Sequence, residues 1–192
     1  MALRSKKQKL LTLTLRNLFS LHFSILCFLL LIAFVLIGKL YESTTYSFAA
    51  FATDAPRSEA KNHSIPTFIY IPSLELGLPL SEATKTNGVW PTYTDSVSHV
   101  ANSSSPGEDD NVVIYGRNTT DQFGLLTSLA KGDEIILSLR NGDSYRYTVT
   151  DLHVVLPNET SLIKSSNKET LTLYTPYGFA GLKRFVVSAT LK

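Results

Sequence analysis

The chain has 192 residues, 44% of them hydrophobic and 18% charged, with a formal net charge of +2. That length holds one domain of ordinary size and something smaller, and so small a net charge gives no basis for binding nucleic acid. A single cysteine excludes a disulfide framework and a thiolate zinc site, four histidines lack metal-like spacing, and no cofactor is expected.

In chain order, residues 1–17 read as a basic tail carrying Arg4, Lys6, Lys7, Lys9 and Arg16 with no acidic residue. The run LFSLHFSILCFLLLIAFVLI follows, from Leu18 to Ile37, broken only by two serines, His22 and Cys27. Roughly 20 such residues, each rising about 1.5 Å, match a ~30 Å hydrocarbon core. Residues 18–38 are therefore expected to form one transmembrane helix whose partner is the lipid bilayer. A cleaved signal peptide is the competing reading, but its apolar part is usually only about 7–15 residues long and ends at a small-residue site. Here the run continues into Gly38, Lys39, Leu40 and Tyr41, although SFAAFA further on leaves cleavage open. The basic flank places the amino terminus in the cytoplasm and everything after Lys39 outside the cell membrane. Residues 39–63 have no sustained period and many small or polar side chains, and read as a stalk.

Residues 64–192 change character to short β-rich runs: TFIYIPS (67–73), ELGLPL (75–80), NVVIY (111–115), DEIILSLR (133–140), SYRYTVTDLHVV (144–155), TLTLYT (170–175) and RFVVSATL (184–191). Several alternate apolar and polar residues with period two, and Asn141-Gly142 between two of them is a hairpin signal. DQFGLLTSLAKGD suggests a short helix with Phe123, Leu126 and Leu129 on one face and Gly132 as its left-handed cap. The polar stretch from Ser81 to Asp110 reads as a long connection over one face. The expected fold is a small, mostly antiparallel β-barrel or sandwich of about seven or eight strands with one or two short helices.

Four segments in order carry a family resemblance. SHVANSSSPGEDDNVVIYGRN is similar to a family stretch running from a Pro-Gly-Glu turn through a strand into Gly-His-Asn or Gly-His-Arg. FGLLTSLAKGDEIIL resembles the helix and Lys-Gly-Asp turn that follow, and LTLYT with KRFVVSATL resembles the last two strands. Residues 65–192 thus resemble a sortase, a membrane-anchored transpeptidase of the Gram-positive cell surface. The resemblance implies a closed sortase barrel and sorting-signal peptides of Leu-Pro-x-Thr-Gly type as substrates. It also implies a Cys nucleophile after Thr-Leu-x-Thr, a His proton carrier after the glycine of the middle strand, and an Arg opening the last strand.

Two of these three roles are empty. Arg117 stands at the His position, and Pro176 stands at the Cys position unless the Cys has been deleted with part of the loop; Arg184 matches the Arg. Arginine, with a pKa above about 12, exchanges no proton near neutrality, and proline offers neither a nucleophile nor a backbone N–H. Thr175 alternates to the opposite face from Pro176, and a phenol such as Tyr174 or Tyr177 is a poor acyl acceptor without an activating base. His99 is the remaining base candidate, in the connection upstream, whereas His153 reads as a structural strand histidine.

No intact catalytic set is therefore expected. The residues suggest an inactive pseudo-sortase in which Arg117 and Arg184, with Lys183, His99 and Tyr177 beside them, bind a peptide, an acidic group or a cell-wall component through paired N–H donors. Alternatives are an active enzyme with a non-standard nucleophile, or an interaction domain that partners an active sortase through Trp90, Tyr93, Tyr174, Tyr177 and Phe179.

Overall fold

The computed structural model describes residues 25–36 and 65–192, which belong to two separate units. In the first, residues 25–36 are α-helical with exposed side chains, Cys27 among them. No helix among the described residues is long and apolar enough to cross a membrane. The rest of the expected span, the basic tail and the stalk lie outside the described residues.

The second unit is a closed barrel of eight strands. They are β1 (Pro66–Ile71), β2 (Leu76–Ala83), β3 (Val97–Val100), β4 (Asn111–Tyr115), β5 (Glu134–Leu139), β6 (Ser144–Val155), β7 (Thr170–Tyr177) and β8 (Lys183–Leu191). Around the barrel they run β1-β2-β3-β4-β7-β8-β6-β5, with β5 pairing back to β1. Only β2–β3 and β4–β7 are parallel pairs, as the expectation of a mostly antiparallel barrel requires.

Alternation along β1 turns Ile69 and Ile71 inward and leaves Phe68 and Tyr70 outside. β4 is different, because all five of its residues are buried. Val112 and Ile114 join the barrel interior with Leu171, Leu173 and Val187, while Val113 and Tyr115 join a second cluster on the outer face with Tyr174 and Val186. A strand covered on both faces needs a continuous apolar run rather than alternation, which is what NVVIY is. The sheet β4–β7–β8 therefore has a core on each side.

Three expectations change. The stretch 81–110 is not one connection: β2 runs on to Ala83, and β3 lies inside it. A four-residue strand carrying Ser98 and His99 gives too short and too polar a pattern to stand out, and burial on both faces removes its alternation. The expected helix is a single 3-10 segment, Phe123–Ser128, ended by an extended Leu129. Phe123, Leu126 and Leu129 do share the core. Gly132 does adopt a positive φ, +96°, but in the turn into β5, where its N–H donates to the Val149 carbonyl.

Candidate active-site face

Three strand ends meet at one mouth of the barrel. β7 and β8 pair so that Pro176 lies opposite Arg184 and Tyr177 opposite Lys183. β4 runs parallel to β7 with Tyr115 opposite Tyr174, and the Gly116 N–H extends that ladder by donating to the Tyr174 carbonyl at 3.2 Å. Arg117 follows immediately. Gly116 must be glycine because a Cβ there would lie 2.8 Å from Val97 Cγ1 and 2.9 Å from the Phe123 ring.

Residues alternate faces along these strands. Tyr115, Tyr174 and Val186 point outward, so Pro176 and Arg184 share that outer face. Thr175 falls with Leu171 and Leu173 on the inner face, where it is fully buried and its hydroxyl finds no hydrogen-bond partner among the described residues. This is the placement expected from alternation.

The outer face is aromatic and covered. Tyr115 and Tyr174 stack at 5.5 Å between centroids, and Trp90 meets Tyr115 edge-on at 6.3 Å. Such geometries suit the ring quadrupoles. Ile163, from the loop between β6 and β7, packs in the same cluster. Burial pushes the Tyr115 phenol up to about 12, and it raises Tyr174 as well. Trp90 and Tyr174, candidates for the contact surface of the interaction-domain alternative, are thus core, because each buries its ring against the next.

Arg184 is fully enclosed. Its Nη1 donates to the Gly181 carbonyl at 2.7 Å and to the Lys183 carbonyl at 2.8 Å, so the β7–β8 turn wraps around the guanidinium. Burial lowers its pKa against the opposing effect of neighbouring Tyr174, yet a guanidinium keeps its charge at neutral pH.

Arg117 is half-buried and engaged differently. Its backbone N–H donates to Gln122 Oε1 at 2.8 Å, its Nη2 donates to the Thr94 carbonyl at 3.0 Å, and Asp121 lies 3.9 Å away. The two arginines therefore end the same row of strand positions while each is bonded to its own backbone carbonyls.

His99 is not part of this row. It sits on β3 opposite the inward-facing Ile114, is 2% exposed, and bonds through Nε2 to the Ser104 carbonyl at 3.1 Å, with Glu82 3.8 Å from Nδ1. It is a buried strand histidine rather than one in an open connection. His153, by contrast, lies half-buried opposite Val186, on the outer face. Lys183 is exposed, and Tyr177 leans at 5.7 Å on the Phe185 ring.

Two contributors were not singled out from the sequence. Gln122, 1% exposed, sends Nε2 to the carbonyls of Tyr93, Thr94 and Ser96 at 3.0, 3.2 and 3.2 Å. Asn111 bonds the carbonyls of Leu162 and Lys164 and the Thr172 hydroxyl, fixing the β6–β7 loop over the face. A lone amide in sequence gives no sign of such bridging. Among the described residues no cluster of acidic, His and Cys side chains could hold a metal ion.

Comparison with known proteins agrees with this fold. A family model described as the sortase domain matches residues 69–192. The fold is similar to that of a Clostridium perfringens sortase D5 transpeptidase (TM-score 0.58, 24% identity, covering 70% of this chain and 82% of the other). A lid mutant of sortase A from Corynebacterium diphtheriae is also similar (TM-score 0.59, 20% identity, 81% and 95% covered). So is sortase C-1 from Actinomyces oris (TM-score 0.59, 24% identity, 81% and 97% covered). No curated protein matches the chain.

Proposed function

The chain belongs to the sortase family, and from that premise we propose that it is a membrane-tethered, extracellular member that has lost transpeptidation and uses the outer β4–β7–β8 face to recognise a peptide or an anionic group. The observation that carries this reading is the pairing of Pro176 with Arg184. The position facing the family's arginine holds a residue with no nucleophilic atom, and Arg117, at the histidine position, cannot take up or release a proton near pH 7. Thr175, the neighbouring hydroxyl, is sealed on the inner face. His153 shares the outer face but has no thiol to activate, since the chain's single cysteine lies far upstream at Cys27.

What remains suits binding. Arg117 is the partly exposed cation at the rim, and its guanidinium presents planar donors matched to a carboxylate or a peptide carbonyl. The stacked Tyr115 and Tyr174 form a flat aromatic floor beneath the covering Trp90 and Ile163. A labelled Leu-Pro-x-Thr-Gly peptide with a free carboxylate, titrated against the full chain by fluorescence anisotropy, tests this. Arg117→Ala is expected to weaken binding about tenfold or more, as removal of a charge-assisted hydrogen bond does; unchanged affinity would remove Arg117 from the site.

A second reading has its own observation. Phe179 is 88% exposed and Leu182 52% at the β7–β8 turn, with Leu156 58% exposed at the end of β6. Clustered apolar exposure of this kind favours a protein contact, and an active sortase is the partner this reading names.

A further inference from the structure

We propose that residues 84–96 form a releasable strap that occupies the ligand face as a built-in substitute for ligand, with Trp90 as its plug and Gln122 as its latch. That the covered face is a ligand face rests on the function proposed above; the release of the strap does not.

Between Thr84 and Asp95 the only buried residue is Trp90, at 4% exposure, so one apolar side chain holds an otherwise polar segment against the sheet. The segment is folded on its own account. Thr86 and Val89 exchange both backbone hydrogen bonds at 3.0 Å across Asn87-Gly88, whose φ values of +51° and +80° suit a tight two-residue hairpin turn. Such a unit can lift as a body without losing its internal bonds.

Its attachments are few and polar. Tyr115 donates its hydroxyl to the Pro91 carbonyl, Tyr93 donates to the Glu82 carbonyl at 3.3 Å, and Arg117 donates to Thr94. Gln122 Nε2 adds its three bonds, and the Ser96 hydroxyl bonds the Ser81 hydroxyl of β2 at 2.9 Å. The Pro91 and Thr94 carbonyls accept from the Tyr115 hydroxyl and Arg117 as the backbone of a bound peptide would, so strap and ligand compete for the same donors. The plug is also imperfect: the Trp90 indole N–H is buried without an acceptor among the described residues. A buried unpaired donor opposes docking and is rehydrated on release. A segment held by one side chain and a handful of exchangeable hydrogen bonds belongs to the low-stability end of a fold.

Trp90 is the only tryptophan in the chain, so its fluorescence reports the strap directly. Full-length protein in detergent micelles is titrated with urea. Trp90 emission and acrylamide quenching follow the strap, and far-UV circular dichroism follows the barrel. The expected result is a red shift with several-fold stronger quenching at urea concentrations where the β signal is intact. Gln122→Ala should move this first transition to lower urea, further ahead of the dichroism transition. Coincident fluorescence and dichroism transitions in both proteins would overturn the proposal, because Trp90 would then be an integral part of the barrel core. No peptide enters this experiment, so its failure is separable from a failure of the ligand-face reading, which the anisotropy titration decides.

Discussion

On the proposed reading, Pro176 offers neither a side-chain nucleophile nor a backbone donor where the resemblance implies a cysteine, and Arg117 offers no group that titrates near neutrality where it implies a histidine. Arg184 remains, but its Nη1 is spent on the carbonyls of Gly181 and Lys183. Two substitutions test other residues of the face. Gly116→Ala would push a methyl against Val97 and Phe123, and is expected to cost about 1–3 kcal/mol of unfolding free energy by urea denaturation; an unchanged midpoint would contradict the close approach. Tyr115 tests the buried phenol. Its folded pKa is raised to about 12, above an unfolded value near 10. Its neutral form therefore stabilises the fold fully below pH ~10, and that contribution is lost as pH rises toward 12. Tyr174 acts in the same direction. Tyr115→Phe should consequently lose less stability between pH 9 and 11 than the native chain, measured by urea midpoints, and parallel losses would contradict this. The resemblance singled out positions 117, 176 and 184 in the sequence, and β7–β8 pairing sets Pro176 opposite Arg184. The enclosure of Arg184 was not, because it depends on a turn of backbone carbonyls that no side-chain pattern encodes.

At the scale of elements, the two-sided burial of β4, β7 and β8 explains both what the sequence discloses and what it hides. A continuous apolar run such as NVVIY and an alternating one such as TLTLYT mark strands clearly, and β4 and β6 match their sequence runs to the residue. β3 was missed because its four residues offer no period. The stretch after β2 was expected to lie over one face, but its anchor was not found, nor was the covering role of the β6–β7 loop: Trp90 and Ile163 are isolated apolar residues in polar surroundings, and only the folded sheet shows what they rest on. The Asn87-Gly88 turn was a usable signal of order within that region. The β6–β7 loop owes its position to Asn111, which bonds two of its carbonyls. Asn111→Ala would leave those acceptors unpaired beneath the loop and should lower stability by roughly 2 kcal/mol, read as a shift in urea midpoint; no shift would mean that Ile163 packing alone fixes the loop.

For the whole molecule, the closed eight-strand barrel places every strand between two neighbours, and a barrel without open edges has no strand to offer for pairing with another chain. Recognition must then use faces and turns, and the outer β4–β7–β8 face and the β7–β8 turn are the two places where this chain presents unusual chemistry. A mostly antiparallel barrel or sandwich was readable from strand number and spacing, and the family resemblance implied the closed barrel, whereas the order of strands needed long-range pairings such as β1–β5 that leave no local trace. The central claim, that a sortase fold here carries no sortase chemistry, meets its most direct test in mass spectrometry. The full chain is incubated with a Leu-Pro-x-Thr-Gly peptide and an amine acceptor, beside an active sortase as control. The account predicts intact peptide and unmodified protein. A cleaved peptide, an amine-linked product or a covalent acyl adduct on this chain would contradict it.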